Sequence, residues 1–179
     1  MGMWVANYYK TLAWFAFCKG SAISVQCTDG TYATLTVGSN LYDCGLYDFA
    51  PGYNHNNNAG SYSSIVFGTG DAAVTYYDYA LTSKWTSNIS RITTSSTGPT
   101  LDSQTGVLTE TMTATVQNNG SAAVTIREWG IEGYANSSGK RFLLYRDLLQ
   151  TPVTLNQYEA ATFTCTLLYQ IPNWTASGA

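Results

Sequence analysis

The sequence predicts an all-β fold: an antiparallel β-sandwich, jelly-roll or immunoglobulin-like, behind a short N-terminal amphipathic helix. Two observations carry this expectation. Apolar and polar residues alternate with period two over short runs such as VLTETMTATVQ at 107–117, as strands with one buried face do. These runs, each about ten residues long in the second half of the chain, are separated by Gly, Asn and Asp pairs suited to tight turns.

The elements follow in order. Val5, Tyr8, Tyr9, Leu12, Phe15 and Ala16 share one helical face, with Asn7, Lys10 and Thr11 off it, so residues 4–17 read as a helix that Gly20 stops. AISVQCTDGTYATLTV at 22–37 alternates on both sides of Asp29-Gly30, which predicts a hairpin. Residues 38–64 lose the pattern in a Gly-, Asn- and Tyr-rich stretch holding the single histidine, His55. A loop of this length in a domain is normally a contact or functional segment. Ile65 to Phe67 makes a short strand, and GTGD turns it. Val107 to Gln117 then leads through Asn118-Asn119-Gly120 into a returning strand at Ala123 to Ile131. Ser137-Ser138-Gly139 turns into Arg141 to Leu149, and Ala161 to Ile171 closes the series. The expected organisation is a single β-rich domain over 1–179, with 1–20 as helix and 38–64 as contact loop.

The 179 residues, 45% of them hydrophobic, suffice for one core. Charged residues make up 11%, against roughly 25% in an average domain. Their place is taken by Thr, Ser, Asn, Gly and 14 Tyr, a surface that costs little to desolvate against another protein. The formal charge of −3 gives no basic footprint for nucleic acid. The apolar stretch 4–18 is broken by Lys10, has no basic residues before it and no small-residue cleavage site after it, so a signal peptide is not expected. Its longest uninterrupted run, 11–18, is far short of the ~20 residues of a bilayer span, and no membrane association is expected. Cys18, Cys27, Cys44 and Cys165 form no C-x-x-C pair and read mainly as small buried residues, with one or two disulfides left open.

Seven of the 19 charged groups, Arg127, Glu128, Glu132, Lys140, Arg141, Arg146 and Asp147, fall within 127–147. A hairpin over this segment brings Lys140, Arg141 and Arg146 back against Glu128 and Glu132, where cross-strand pairs are worth ~0.2–1 kcal/mol each. The alternative, Glu128 and Glu132 as paired catalytic carboxylates, needs a cleft between them that nothing in the sequence builds. His55 with Asp43 and Asp48 has no metal-site spacing, and no calcium loop occurs. No cofactor is expected. The aromatic residues read as core and interface anchors in preference to a sugar-stacking platform. The N-x-[ST] matches at Asn88, Asn119, Asn136 and Asn173 are what an Asn-, Ser- and Thr-rich chain produces by chance.

Four motifs stand in order: Gly68-Thr69-Gly70; Asp78 to Leu81; Ile126-Arg127-Glu128-Trp129-Gly130-Ile131; and Arg146-Asp147-Leu148 with Pro152-Val153-Thr154. With the opening NYYKTLAWFAF and the VQCTDGTYATL hairpin, this order resembles a group of bacteriophage and prophage structural proteins. The resemblance covers most of the chain and is weakest between Gly38 and Ser64. It implies a non-enzymatic virion component, assembled in the host cytoplasm, that forms homo-oligomers and docks on a major capsid or tail protein, most readily as a capsid decoration or head-associated protein. The expected contact residues are Tyr8, Tyr9, Trp14, Tyr42, Tyr47 and Tyr53. The expected structural ion pairs draw on Glu128, Glu132, Arg141, Arg146 and Asp147, with Arg146 and Asp147 paired to each other. The alternative is a tail or baseplate appendage that binds a host glycan through Tyr42, Tyr47, Tyr53 and Asn56 to Asn58.

Overall fold

Nine strands, all paired antiparallel, make three sheets in the computed structural model, which describes residues 2–10, 22–35, 64–135 and 138–171. β1 (Met3–Trp4), β8 (Lys140–Leu155), β7 (Val124–Ala135) and β4 (Ser64–Gly68) lie side by side in that order. β2 (Ile23–Gln26) and β3 (Tyr32–Leu35) form a hairpin, and β5 (Ile89–Asp102), β6 (Val107–Asn118) and β9 (Ala160–Gln170) form the third sheet. The all-β sandwich expected from alternation is the architecture found. No helix among the described residues is long and apolar enough to cross a membrane.

The main core lies between the sheets. β6 alternates as the sequence requires: Met112, Ala114 and Val116 are buried, and Thr111, Thr113 and Thr115 face outward. Val25 and Leu35 come from the hairpin, Phe67 from β4, Ile126 and Ile131 from β7, and Phe142 and Leu144 from β8. Each large side chain buried here contributes ~1.5–3 kcal/mol of transfer free energy. The hairpin turn is the expected one. Gly30 takes φ 81°, and Asp29 Oδ1 accepts from the Thr31 N–H and hydroxyl at 3.0 and 2.6 Å.

Three expectations are corrected. The N-terminal helix begins at Ala6 and not at Trp4, and is described through Lys10, because Met3 and Trp4 pair with Arg146 and Tyr145 as strand β1. Residues 11–20, with Trp14 and Cys18, lie outside the described residues. Asn7, expected on the polar side, is buried. Its amide donates to the Gln26 carbonyl at 2.8 Å and accepts the Gln26 N–H at 3.1 Å, doing for β2 what a neighbouring strand would do. Thirdly, Asn118-Asn119-Gly120 makes no hairpin, since β6 and β7 belong to different sheets. Buried Asn118 donates to the Ala122 and Leu155 carbonyls at 2.8 and 3.0 Å and accepts the Gly120 N–H at 2.9 Å, which pins a crossover from one sheet to the other.

Two irregularities in the β7–β8 ladder decide what the far face of the four-stranded sheet carries. Ile126 pairs with Val153, yet Glu128 pairs with Leu148, so Arg127 stands opposite 149–152. The bulge reverses the alternation: Ile126 points into the main core while Glu128 joins the other face. Ile131 pairs with Tyr145 and Glu132 with Leu143, leaving Leu144 as an extra residue. Leu144 and Tyr145 thereby both reach the main core, and Leu143 turns to the far side, where it packs with Val5, Val66 and Leu81.

Candidate functional site

The far face of the four-stranded sheet is covered by the segment 69–84, a strap without regular secondary structure fastened at both ends. The Thr69 N–H donates to the Ser83 carbonyl and the Trp85 N–H to the Phe67 carbonyl, each at 2.8 Å. Beneath it, β7 presents Glu128 and β8 presents Arg146, which are 0% and 2% exposed.

The two make a fully satisfied network. Arg146 Nε donates to Glu128 Oε2 at 2.9 Å, and Nη2 lies 2.8 Å from the same oxygen. Nη1 donates to Asp78 Oδ2 at 2.7 Å and to the Ala73 carbonyl at 3.3 Å, and Nη2 to the Ala72 carbonyl at 2.9 Å and Thr82 Oγ1 at 2.7 Å. On the carboxylate, Oε1 accepts the Gly70 and Ser83 N–H groups at 3.2 and 2.7 Å, and Oε2 also accepts the Thr82 N–H at 3.1 Å. Every polar atom of both side chains is used, the condition under which a buried ion pair is tolerated at all. All the groups they reach outside the pair lie on the backbone or short side chains of the strap, so the network is a clamp holding an irregular segment to a regular sheet. Burial works against the charge on Arg146, but hydrogen bonds to Asp78 and Glu128 outweigh it and raise its pKa further. Burial likewise pushes the Asp78 carboxyl up, and the Thr75 N–H with the Arg146 guanidinium more than reverses this and holds it below the usual carboxylate range.

Gly68 and Gly70 are there because the clamp passes so close to them, and Gly130 because the neighbouring strand does. A Cβ on Gly68 would lie 2.6 Å from Glu128 Oε1 and from the Ser83 carbonyl oxygen, and one on Gly70 would lie 2.6 Å from Glu128 Oε1 and 2.7 Å from Thr82 Cβ. Gly130 would meet the Tyr145 carbonyl oxygen at 2.6 Å. Gly68, Gly70, Asp78, Leu81, Glu128, Gly130 and Arg146, scattered over four sequence motifs, thus meet in one place.

Glu132, also 0% exposed, accepts from Lys84 Nζ at 2.6 Å through Oε2, while Oε1 is buried with no hydrogen-bond partner among the described residues. Lys140 pairs with Asp29 on the hairpin at 3.1 Å. Glu128 and Arg146 do pair across strands as expected, but Glu132 and Lys140 find partners on other elements. Arg146 and Asp147 are not a pair, because adjacent strand residues face opposite ways: Arg146 enters the clamp, and Asp147 accepts the Tyr145 hydroxyl at 3.3 Å and the Leu148 N–H at 2.8 Å. Arg141 stands half-buried on β8 beside Tyr134 in the ladder.

Comparisons of the chain with known protein families, curated proteins and solved structures found no match.

Outside the clamp the strap turns aromatic residues to solvent. Tyr76, Tyr77 and Tyr79 are 42, 79 and 40% exposed, and Tyr9 beside them is 47% exposed. They end a run of ring contacts from the interior: Trp129 with Tyr145 at 5.0 Å, Tyr145 with Trp4 at 5.1 Å, Trp4 stacked on Tyr8 at 4.0 Å, Tyr8 with Tyr9 at 5.4 Å, and Tyr9 with Tyr76 at 5.8 Å. Of the expected contact residues, Tyr9 lies on this surface. Tyr8 is buried and acts as an internal anchor, while Trp14, Tyr42, Tyr47 and Tyr53 lie outside the described residues, as do His55, Asp43, Asp48 and the tract 56–58. Tyr76, Tyr77 and Tyr79 were missed by sequence reasoning. Their signal was the YYDY run after a glycine turn, with no alternation to bury it. Among the described residues no cluster of His, Cys, Asp and Glu could hold a metal. Cys27 and Cys165 are free thiols. Burial, then Asp29, raises the pKa of Cys27, and burial, then Asp147 and Glu110, pushes Cys165 up to about 11. Cys44 lies outside the described residues.

Proposed function

We propose that this chain is a non-enzymatic structural component of a bacteriophage virion, a capsid decoration or head-associated protein that acts through protein–protein contacts. The observation that carries this reading is how the charges are used. The buried carboxylates and guanidinium of the sheet are committed to holding a strap in place, and what that strap offers to solvent is aromatic. A Glu128 with every acceptor position occupied is a fastening, not a proton-transfer group. Exposed tyrosines on a backbone pinned from beneath make rigid anchors that lose little entropy on docking, as repeated contacts in a symmetric particle require. The order of motifs in the sequence supports the same assignment, and the motif residues have a common physical purpose in the clamp.

The exposed Tyr9, Tyr76, Tyr77 and Tyr79 also favour a second reading, a tail appendage that stacks host sugars on these rings. Gradient-purified particles from cells that make the chain in its native setting separate the two. Mass spectrometry and immunogold labelling are expected to place the chain on the head. A chain absent from particles overturns the virion assignment. A chain on the tail that binds one sugar class saturably, with binding lost in Tyr77→Ala, replaces the first reading with the second.

A further inference from the structure

The two edges of the three-stranded sheet are built differently. β5 is broken by two register shifts, between Arg91 and Thr93 and between Thr97 and Thr100, with Pro99 inside the second; bulges and proline are the devices that keep an edge from pairing with another chain. β9 has none of them. Its ladder with β6 runs unbroken through every residue from Ala160 to Gln170, with no proline and no charge, in a sequence rich in Thr and aromatic residues that suits a strand.

The hydrogen bonds at the ends of that ladder show which backbone groups are left over. The Asn118 N–H donates to the Glu159 carbonyl, and the Ile171 N–H to the Gly106 carbonyl, both at 3.0 Å. In an antiparallel pair, bonded and non-bonded positions alternate, so odd-numbered residues of β9 face β6. Thr162, Thr164, Thr166 and Leu168 turn their N–H and C=O groups to the other side, where β9 has no neighbouring strand among the described residues. The side chains agree. Ala161, Phe163 and Cys165 are only half-buried, whereas Met112, Ala114 and Val116 beside them on β6 are buried, and Leu168 is 68% exposed.

We propose that the free edge of β9 docks a second copy of this chain, β9 against β9 and antiparallel about a two-fold axis near Thr164, which joins two three-stranded sheets into one of six. The inference rests on the reading of the chain as an assembly component and names one of its contacts. A two-fold contact must be self-complementary, and an edge that alternates donors and acceptors is so by construction. Two chains of charge −3 meet there along a segment that carries none. Thr162, Thr164 and Thr166 stand beside Thr115, Thr113 and Thr111, so the joined sheet shows one continuous threonine face, with the half-covered Phe163 and Cys165 closed from the side. The edge is about 36 Å long at ~3.3 Å per residue, and a strip ~10 Å thick gives roughly 700 Å² buried in total. That is below the ~1,200 Å² of stable pairs, so the dimer is reversible in solution and gains permanence only where other contacts reinforce it.

Sedimentation velocity over a wide concentration range, with amide exchange read at Thr162, Thr164 and Thr166, tests this. Thr164→Pro removes an outward N–H and leaves the β6 ladder intact; Thr164→Lys charges the edge and guards against a proline variant that misfolds. Expected is a concentration-dependent dimer in which these three amides slow as the dimer fills, and variants that keep the wild-type melting curve but remain monomeric. A wild-type chain that is monomeric throughout, with fast amides, overturns the proposal. So does self-association that both variants leave unchanged. Neither result touches the chain's presence in particles, by which the virion assignment is judged.

Discussion

Replacing Arg146 by Met removes the cation from the clamp and leaves Glu128 charged beneath the strap. Three backbone N–H groups still face that carboxylate, at 2.7, 3.1 and 3.2 Å, but its counter-charge is gone and the Ala72 and Ala73 carbonyls and Thr82 hydroxyl lose their donor. Breaking one partner out of a buried pair costs ~3–5 kcal/mol, a large share of the ~5–15 kcal/mol that holds a domain folded. At ~2–4 °C per kcal/mol for a chain of this size, the midpoint of thermal unfolding falls by roughly 6–20 °C. The five tryptophans give the fluorescence signal. A second variant separates stability from strap attachment. With Arg146→Met and Glu128→Leu together neither charge of the pair is left buried, and apolar replacement of a whole pair is often neutral. Much of the lost stability is expected to return, while limited proteolysis now cuts within 69–84, since nothing satisfies the strap's N–H groups against the sheet. If Arg146→Met costs less than about 1 kcal/mol, or the double variant protects the strap as well as wild type does, the clamp does not have the role assigned to it.

The glycines and the strap acid give two further tests. Gly70→Ala places a methyl 2.6 Å from Glu128 Oε1 and is expected to cost about 1–3 kcal/mol, the usual penalty of overpacking, measured by urea unfolding; a neutral result means the carboxylate can move aside. Asp78 titrates below its ordinary 3.8 in the folded chain, so its contribution is fully present above that pH and is lost as the pH falls through the folded value. Strap amides are therefore expected to lose exchange protection below about pH 3.8, with the loss muted in Asp78→Asn, which itself costs about 1.5–3 kcal/mol at neutral pH.

Much of the fold was legible because single residues declared it. Asp29-Gly30 marked its hairpin, and the threonines alternating with Met112, Ala114 and Val116 marked β6 and its inner face. What was illegible had physical causes. β5 carries so many Ser and Thr residues on both parities that no face stands out, and Gly98-Pro99 reads as a break although it sits in an edge bulge. Asn118-Asn119-Gly120 has hairpin chemistry, yet the Asn118 side chain caps the Leu155 carbonyl of the other sheet and the Ala122 carbonyl of the connection, and this takes the chain across the sandwich. The bulge at Arg127 hid the clamp: strict alternation puts Ile126 and Glu128 on one face, where a core isoleucine and a buried carboxylate are incompatible.

That bulge also explains why the charges of 127–147 looked like a surface hairpin. In a flat ladder, cross-strand pairs are exposed and weak. Reversing the alternation at one residue carries Glu128 to the same face as Arg146 and beneath the strap, where the pair is dry and has backbone partners enough to use every one of its polar atoms. A weak surface interaction thereby becomes a specific one, since only a strap that delivers the Gly70, Thr82 and Ser83 N–H groups and the Ala72 and Ala73 carbonyls to the right places can close over it. The clamp fixes the shape of an irregular segment as sharply as a sheet fixes a strand, and an aromatic contact surface built on irregular chain needs that rigidity to present Tyr76, Tyr77 and Tyr79 in one arrangement.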